Sequence, residues 1–174
     1  MSAWISRAAI AAGLLLVLVA VNVSVAQREE LQRDGQTVLL ELAPADPRSL
    51  MQGDYMRLQF ALARFIWPNS GRSAMNDPRP PDGHAVVKRD ANGISTFVRI
   101  HDGSNLAPGE ALIQYRLRKN DVRIVTNAWF FQEGTANEFS NARYGEFRVA
   151  LDGEALLVAM RDKELKVLGT RAKP

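Results

Sequence analysis

The sequence predicts a mainly β domain, an antiparallel sandwich or barrel with one short helix, carried behind a single N-terminal transmembrane helix. Three observations lead there. Short apolar runs with two-residue alternation recur between turn residues from Thr37 onward. Asn92-Gly93 and Asp152-Gly153 stand between such runs, as hairpin turns require. Ahead of them, Ala8 to Ala26 is a stretch of 19 residues without a formal charge. The chain therefore divides into a cytoplasmic N-terminus (1–7), a membrane anchor (8–26), a juxtamembrane stalk (27–36) and a periplasmic β-domain (37–174).

Composition bounds the function. The chain has 174 residues, 47% hydrophobic and 24% charged, which suits one soluble core plus a short extra segment. Its pI is about 9.5, yet the net charge is only +3 and the two signs are interspersed, so nucleic-acid binding is not implied. With no cysteine, disulfides, zinc–thiolate centres and a cysteine nucleophile are excluded.

As a helix the uncharged stretch rises roughly 28 Å, close to the hydrocarbon thickness of a bilayer. Arg7 is the one charged side chain before it, which favours a cytoplasmic N-terminus and a domain on the far side of a bacterial inner membrane. Ser24-Val25-Ala26 ahead of Gln27 also fits signal-peptide cleavage; span length favours the anchor. Gln27 to Asp34 is charged on most faces and reaches Gly35, a helix stop.

Thr37 to Leu42 reads as a buried strand ended by Pro44. Asp46-Pro47 has the form of an N-cap followed by proline at the first helical position, with Ser49 to Gln52 as one helical turn closed by Gly53. The next strand places Met56, Leu58, Phe60 and Leu62 on one face and Tyr55, Arg57, Gln59 and Ala61 on the other. Pro68 to Gly83 is a long turn-forming loop. His84 to Arg89 and Ser95 to His101 form a hairpin; Ala111 to Arg118 and Val122 to Phe131 form a second over Lys119-Asn120-Asp121. Thr135 to Arg143 has capping-box spacing between Thr135 and Glu138 and is the expected short helix. Tyr144 to Leu151 and Glu154 to Met160 close the domain as a last hairpin.

The segment Gly53 to Phe60, GDYMRLQF, resembles the motif that gives the GDYXXLXY protein family its name, with Phe60 where the name has tyrosine. Leu42 to Met56, Asn127 to Gly134, Ala142 to Val149 and Asp152 to Leu157 follow in the order such proteins show. The resemblance implies a bacterial protein with one N-terminal membrane segment, no assigned activity, and a polytopic membrane protein as partner. Any role that needs the tyrosine hydroxyl is in doubt at Phe60.

A weaker likeness runs to membrane-anchored signal peptidases. Ser49 to Asp54 is similar to their Thr-Leu-x-x-Gly-Asp segment and Val87-Lys88-Arg89 to their lysine strand, but Ala45 falls where the serine nucleophile belongs. Acyl transfer needs that oxygen and a base. His84 and His101 are the only histidines and lack ligand spacing, so neither metal nor cofactor is expected. Asp46 and Asp54 form the natural carboxylate pair for acid–base work, although a structural role accounts for both, Asp46 capping the turn and Asp54 pairing with Arg48 or Arg57 or hydrogen-bonding the Gly53 turn; Glu133 and Glu146 call for the same caution.

Arg57, Arg99, Arg116, Arg118, Arg123 and Arg148 fall on polar strand phases. Clustered, they suit anionic lipid headgroups or an acidic partner; scattered, they are a solvated face. Trp129, Phe130 and Phe131 point alternately to two faces, so their strand is expected to be covered on both, or else to mark a contact surface. The function expected is a non-enzymatic accessory subunit of a polytopic inner-membrane protein, docking through Asp46, Arg48, Gly53, Asp54, Tyr55, Arg57, Leu58 and Phe60. A serine–lysine hydrolase and an envelope ligand-binding module under the proline-rich loop are the alternatives.

Overall fold

The computed structural model describes residues 3–43, 51–52, 55–67, 82–118 and 121–169. In chain order these form α1 (Ala3–Asp34), β1 (Gln36–Glu41), β2 (Met51–Gln52), β3 (Tyr55–Arg57), α2 (Ala63–Ile66), β4 (Asp82–Arg89), β5 (Ser95–Ile100), β6 (Glu110–Arg118), β7 (Asp121–Ile124), β8 (Ala128–Phe130), a 3-10 turn (Ala136–Phe139), β9 (Tyr144–Val149) and β10 (Ala155–Arg161). The domain is mainly β, with antiparallel sheets curled into a half-barrel.

Helix α1 runs unbroken for 32 residues, about 48 Å at the α-helical rise, so the expected stalk is its direct continuation. It is long and apolar enough to cross a membrane. Among the described residues its apolar span is uncovered: Leu14 is 68% and Leu16 69% exposed. Gly35 ends the helix, its N–H donating to the Leu31 carbonyl at 2.9 Å. A Cβ on Gly35 would lie 3.1 Å from the Cβ of Arg148 on β9 and would crowd the Leu31 carbonyl. Only glycine lets the helix end press so closely on the sheet.

Three sheets follow. Their strand orders are β1-β9-β10, β2-β3-β8 and β5-β4-β6-β7, every named pair antiparallel. Single bridges stitch them together: Leu39 to Ile94 joins the first sheet to the third, and Leu42 to Phe60 joins β1 to the chain after β3. Gln114 N–H donates to Gly153 carbonyl at 3.1 Å, tying the β9–β10 turn to β6. Inside the curl, Leu40, Met56, Ile66, Ile113, Tyr115, Ile124, Phe147 and Met160 are fully buried. The alternation read from the motif strand holds: Met56, Leu58, Phe60 and Leu62 all face this core.

Four local expectations are corrected. Met51 and Gln52 are extended and pair with Met56 and Tyr55, because ladder hydrogen bonds win over a lone helical turn. Val122 to Phe131 is two strands, broken at Val125 (φ 58°), and the pieces enter different sheets. Thr135 does not cap a helix through its side chain; its hydroxyl donates back to the Gln132 carbonyl at 2.7 Å, and only a 3-10 turn follows. Gly83, read as loop, is already in β4, and α2 was not expected. Residues 68–81 of the expected loop lie outside the described residues.

Candidate functional site

The motif strand divides its residues sharply between core and surface. Leu58 is 3% and Phe60 4% exposed, the latter set edge-on against Phe147 at 5.4 Å between ring centroids. Their role is to hold the strand on the core. On the opposite phase of the strand Arg57 is exposed and Tyr55 half-buried. Asp46, Arg48, Gly53 and Asp54 lie outside the described residues, as do Ala45 and Ser49.

Across the β3–β8 ladder Tyr55 is paired with Phe130, their rings 5.8 Å apart. Phe130 is 74% exposed, so β8 is covered on one face only and the expectation of cover on both is overturned. Its neighbours Trp129 and Phe131 turn the other way and pack on Phe139 at 6.1 and 5.2 Å. Two-residue periodicity forces this split. An aromatic pair beside an exposed arginine thus stands on the outer face of the motif.

The six arginines of the polar phases neither all cluster nor all scatter. Arg99 is held by Asp102 at 3.4 Å and Glu110 at 3.6 Å. Arg148 donates to the Thr37 hydroxyl at 2.6 Å and lies 3.8 Å from Glu146. Arg116, Arg118 and Arg123 gather instead on one wall of a cleft of about 840 Å³, and Arg28 from α1 joins them. Alternation on β6 sends Gln114, Arg116 and Arg118 to the cleft while Ile113 and Tyr115 enter the core.

Within that wall the charges are unevenly balanced. Arg118 forms a two-pronged pair with Asp82, at 2.8 and 3.1 Å, which holds the Asp82 carboxyl below the ordinary carboxylate range. Asp82 faces Arg116 directly across the β4–β6 ladder but spends its hydrogen bonds on Arg118. Arg116 in turn sits directly opposite Arg123 on β7, a like-charge pairing that works against the sheet. Neither has an ion pair among the described residues. Among the described residues Glu154 is the one carboxylate lining the cleft. Val125, also lining it, holds a left-handed backbone that a β-branched residue rarely adopts. The sequence marked these arginines but not their partition, because strand phase gives a face and not a neighbour.

A second polar cluster is buried. Glu146, 6% exposed, receives Arg161 through Nε and Nη2, both at 2.6 Å, while Arg161 Nη1 donates to the Leu165 carbonyl. It ties β9 to the end of β10. Lys88 is exposed on β4 and faces Glu110 across the β4–β6 ladder. His84 and His101 meet edge-on at 6.5 Å, and among the described residues no group of three or more acidic or histidine side chains is placed to hold a metal.

No curated protein and no solved structure matches the chain. The motif strand, its partner β8 and all but the last residue of the closing hairpin fall within residues 17–160, which match the model of the GDYXXLXY protein family, and the chain belongs to that family.

Proposed function

We propose that the chain is a single-pass inner-membrane protein whose β-domain faces the periplasm and works, without catalysis of its own, as an accessory subunit of a polytopic membrane protein. The observation that carries this reading is the exposed Phe130, 74% accessible, beside Tyr55 and Arg57 on the outer face of a strand whose inner face is core. Aromatic and arginine side chains are the residue types that anchor protein interfaces. Helix α1 supports the setting, since its apolar span is uncovered among the described residues and suits the thickness of a bilayer. Arg7 before that span supports the orientation. The alanine at position 45 supports a role outside acyl transfer.

Crosslinking and mass spectrometry in native membranes tests the proposal. One dominant polytopic partner is expected with the wild type. Phe130→Ala and Arg57→Ala, both surface changes, are expected to lose it while keeping the β-sheet circular dichroism. A hot-spot aromatic is worth about 2 kcal/mol, roughly a thirtyfold loss of affinity. Retention of the same partner by both variants, or no reproducible partner for the wild type, refutes the reading.

A further inference from the structure

We infer that the cleft between β6, β7 and the membrane-proximal end of α1 is a binding site for the phosphate-bearing headgroup of an anionic phospholipid. The inference goes beyond the accessory-subunit reading and rests only on that part of it which puts α1 in a bilayer. Three independent features converge on it.

The first is charge without a partner. Arg116 and Arg123 are opposed across the ladder and unpaired among the described residues, and Arg28 reaches the same cleft from the helix. Two like-charged side chains at one ladder position repel each other, and an anion bound by both relieves that repulsion through charge-assisted hydrogen bonds. Arg118 is committed to Asp82 and Glu154 opposes the site, so the net attraction comes from Arg28, Arg116 and Arg123.

The second feature is position. Arg28 stands two residues past the uncharged stretch that ends at Ala26, at the level where headgroups meet the hydrocarbon. Arg28 also closes a groove of about 340 Å³ on the helix, formed along Leu16, Ala20 and Ser24 at four-residue spacing. The groove gives an acyl chain a path down the helix from a headgroup held above. Free phosphate has no use for it.

The third feature is the apolar rim. Leu151, at the tip of the β9–β10 hairpin, is 94% exposed. It shares a crevice of about 600 Å³ with Ser24, Gln27 and Arg28, so the tip lies beside the boundary between the apolar and charged parts of α1. Phe130 lines the cleft itself. A leucine and a phenylalanine flanking arginines at that level match the composition of a surface that sits in the membrane interface.

Titration calorimetry on the full chain in mild detergent micelles tests the site, with dihexanoyl phosphatidylglycerol, dihexanoyl phosphatidylcholine and inorganic phosphate as separate probes. Phosphatidylglycerol is expected to bind at least about tenfold tighter than either of the others, and to weaken with salt. Replacing Arg116 and Arg123 by glutamine is expected to weaken it about fivefold each and about 25-fold together. The Arg116→Lys/Arg123→Lys pair, which keeps both charges, is expected to retain most of the affinity. Equal binding of phosphatidylcholine, or full affinity in the glutamine double variant, overturns the site. Phosphate binding as tightly as phosphatidylglycerol overturns the lipid as its source. Glutamine variants that lose the crosslinked protein partner and not the lipid assign the cleft to that partner instead.

A second readout does not depend on those variants. The chain has no cysteine, so Leu151→Cys takes a single environment-sensitive dye. In nanodiscs its emission is expected to shift to the blue and to be quenched by brominated lipid. A dye with aqueous emission and no quenching overturns the placement of the cleft at the bilayer.

Discussion

Replacing Glu146 by alanine removes the carboxylate on which the end of β10 is fastened. Its residue is 6% exposed, and both Arg161 contacts are 2.6 Å, so wild type holds a short, nearly dry charge pair. The variant leaves the Arg161 guanidinium with the Leu165 carbonyl as its remaining partner in this cluster, and Arg148 with Thr37 and Gly35. Breaking a buried pair from one side costs about 3–5 kcal/mol when the orphaned charge is fully enclosed. The Arg161 side chain is 26% exposed and recovers part of its hydration, which lowers the expected loss to about 2–3 kcal/mol. For a chain of this size that corresponds to a fall of roughly 5–10 °C in Tm. Thermal unfolding of the anchored protein in detergent, followed by circular dichroism in the sheet band, measures it. Arg161→Ala is expected to cost a similar amount: the Glu146 side chain, 8% exposed, has little water to turn to but keeps Arg148 at 3.8 Å. The double variant is expected to recover part of the sum, as contacting residues do. A Glu146→Ala protein within about 0.5 kcal/mol of wild type, or a strictly additive double variant, refutes the reasoning.

Two further outcomes are expected. Gly153→Ala places a Cβ 2.6 Å from His84 Cδ2 and 3.2 Å from Leu112 Cβ, at a backbone φ of +88°, so it should cost about 1–3 kcal/mol; an unchanged Tm would show that the hairpin does not seat against β4 and β6. The Asp102 carboxyl, bonded by the Ser104 hydroxyl and backbone N–H, titrates at about 2, below its ordinary value. Because the folded pKa is the lower one, its contribution to stability is complete above roughly pH 4 and fades as pH falls through 2. Carboxyl NMR titration checks the value, and Ser104→Ala should raise it; a midpoint near 4 would show that the loop bonds do not form.

The amount of fold legible in the sequence differs from element to element. At β4–β5 and β9–β10 the turn residues and the two-residue alternation fix pairing locally, and both hairpins form as read. Around Val125 the stretch Val122 to Phe131 reads as one strand, and nothing local announces the positive φ that sends β8 to a different sheet. The backbone accepts that strain because β8 then pairs with the motif strand, a contact between residues some 70 positions apart. The same distance hides the candidate site: strand phase showed Arg116, Arg118 and Arg123 as surface residues, yet only the ladder partners reveal that Asp82 neutralises one and leaves two opposed.

By itself the sequence determined the apolar span of α1, the antiparallel β character, the core phase of Met56, Leu58 and Phe60, and membership of the family. Each is a local or periodic property, set by side-chain chemistry at short range. The tertiary structure decided which arginines share a cleft, which aromatic of the Trp129–Phe131 run the domain leaves uncovered, and that Arg28 and Leu151 line one crevice. Those facts depend on the curl of three sheets and on Gly35 pressing the helix end against β9. Neighbours in space across that curl are far apart in sequence, and no pattern along the chain encodes them.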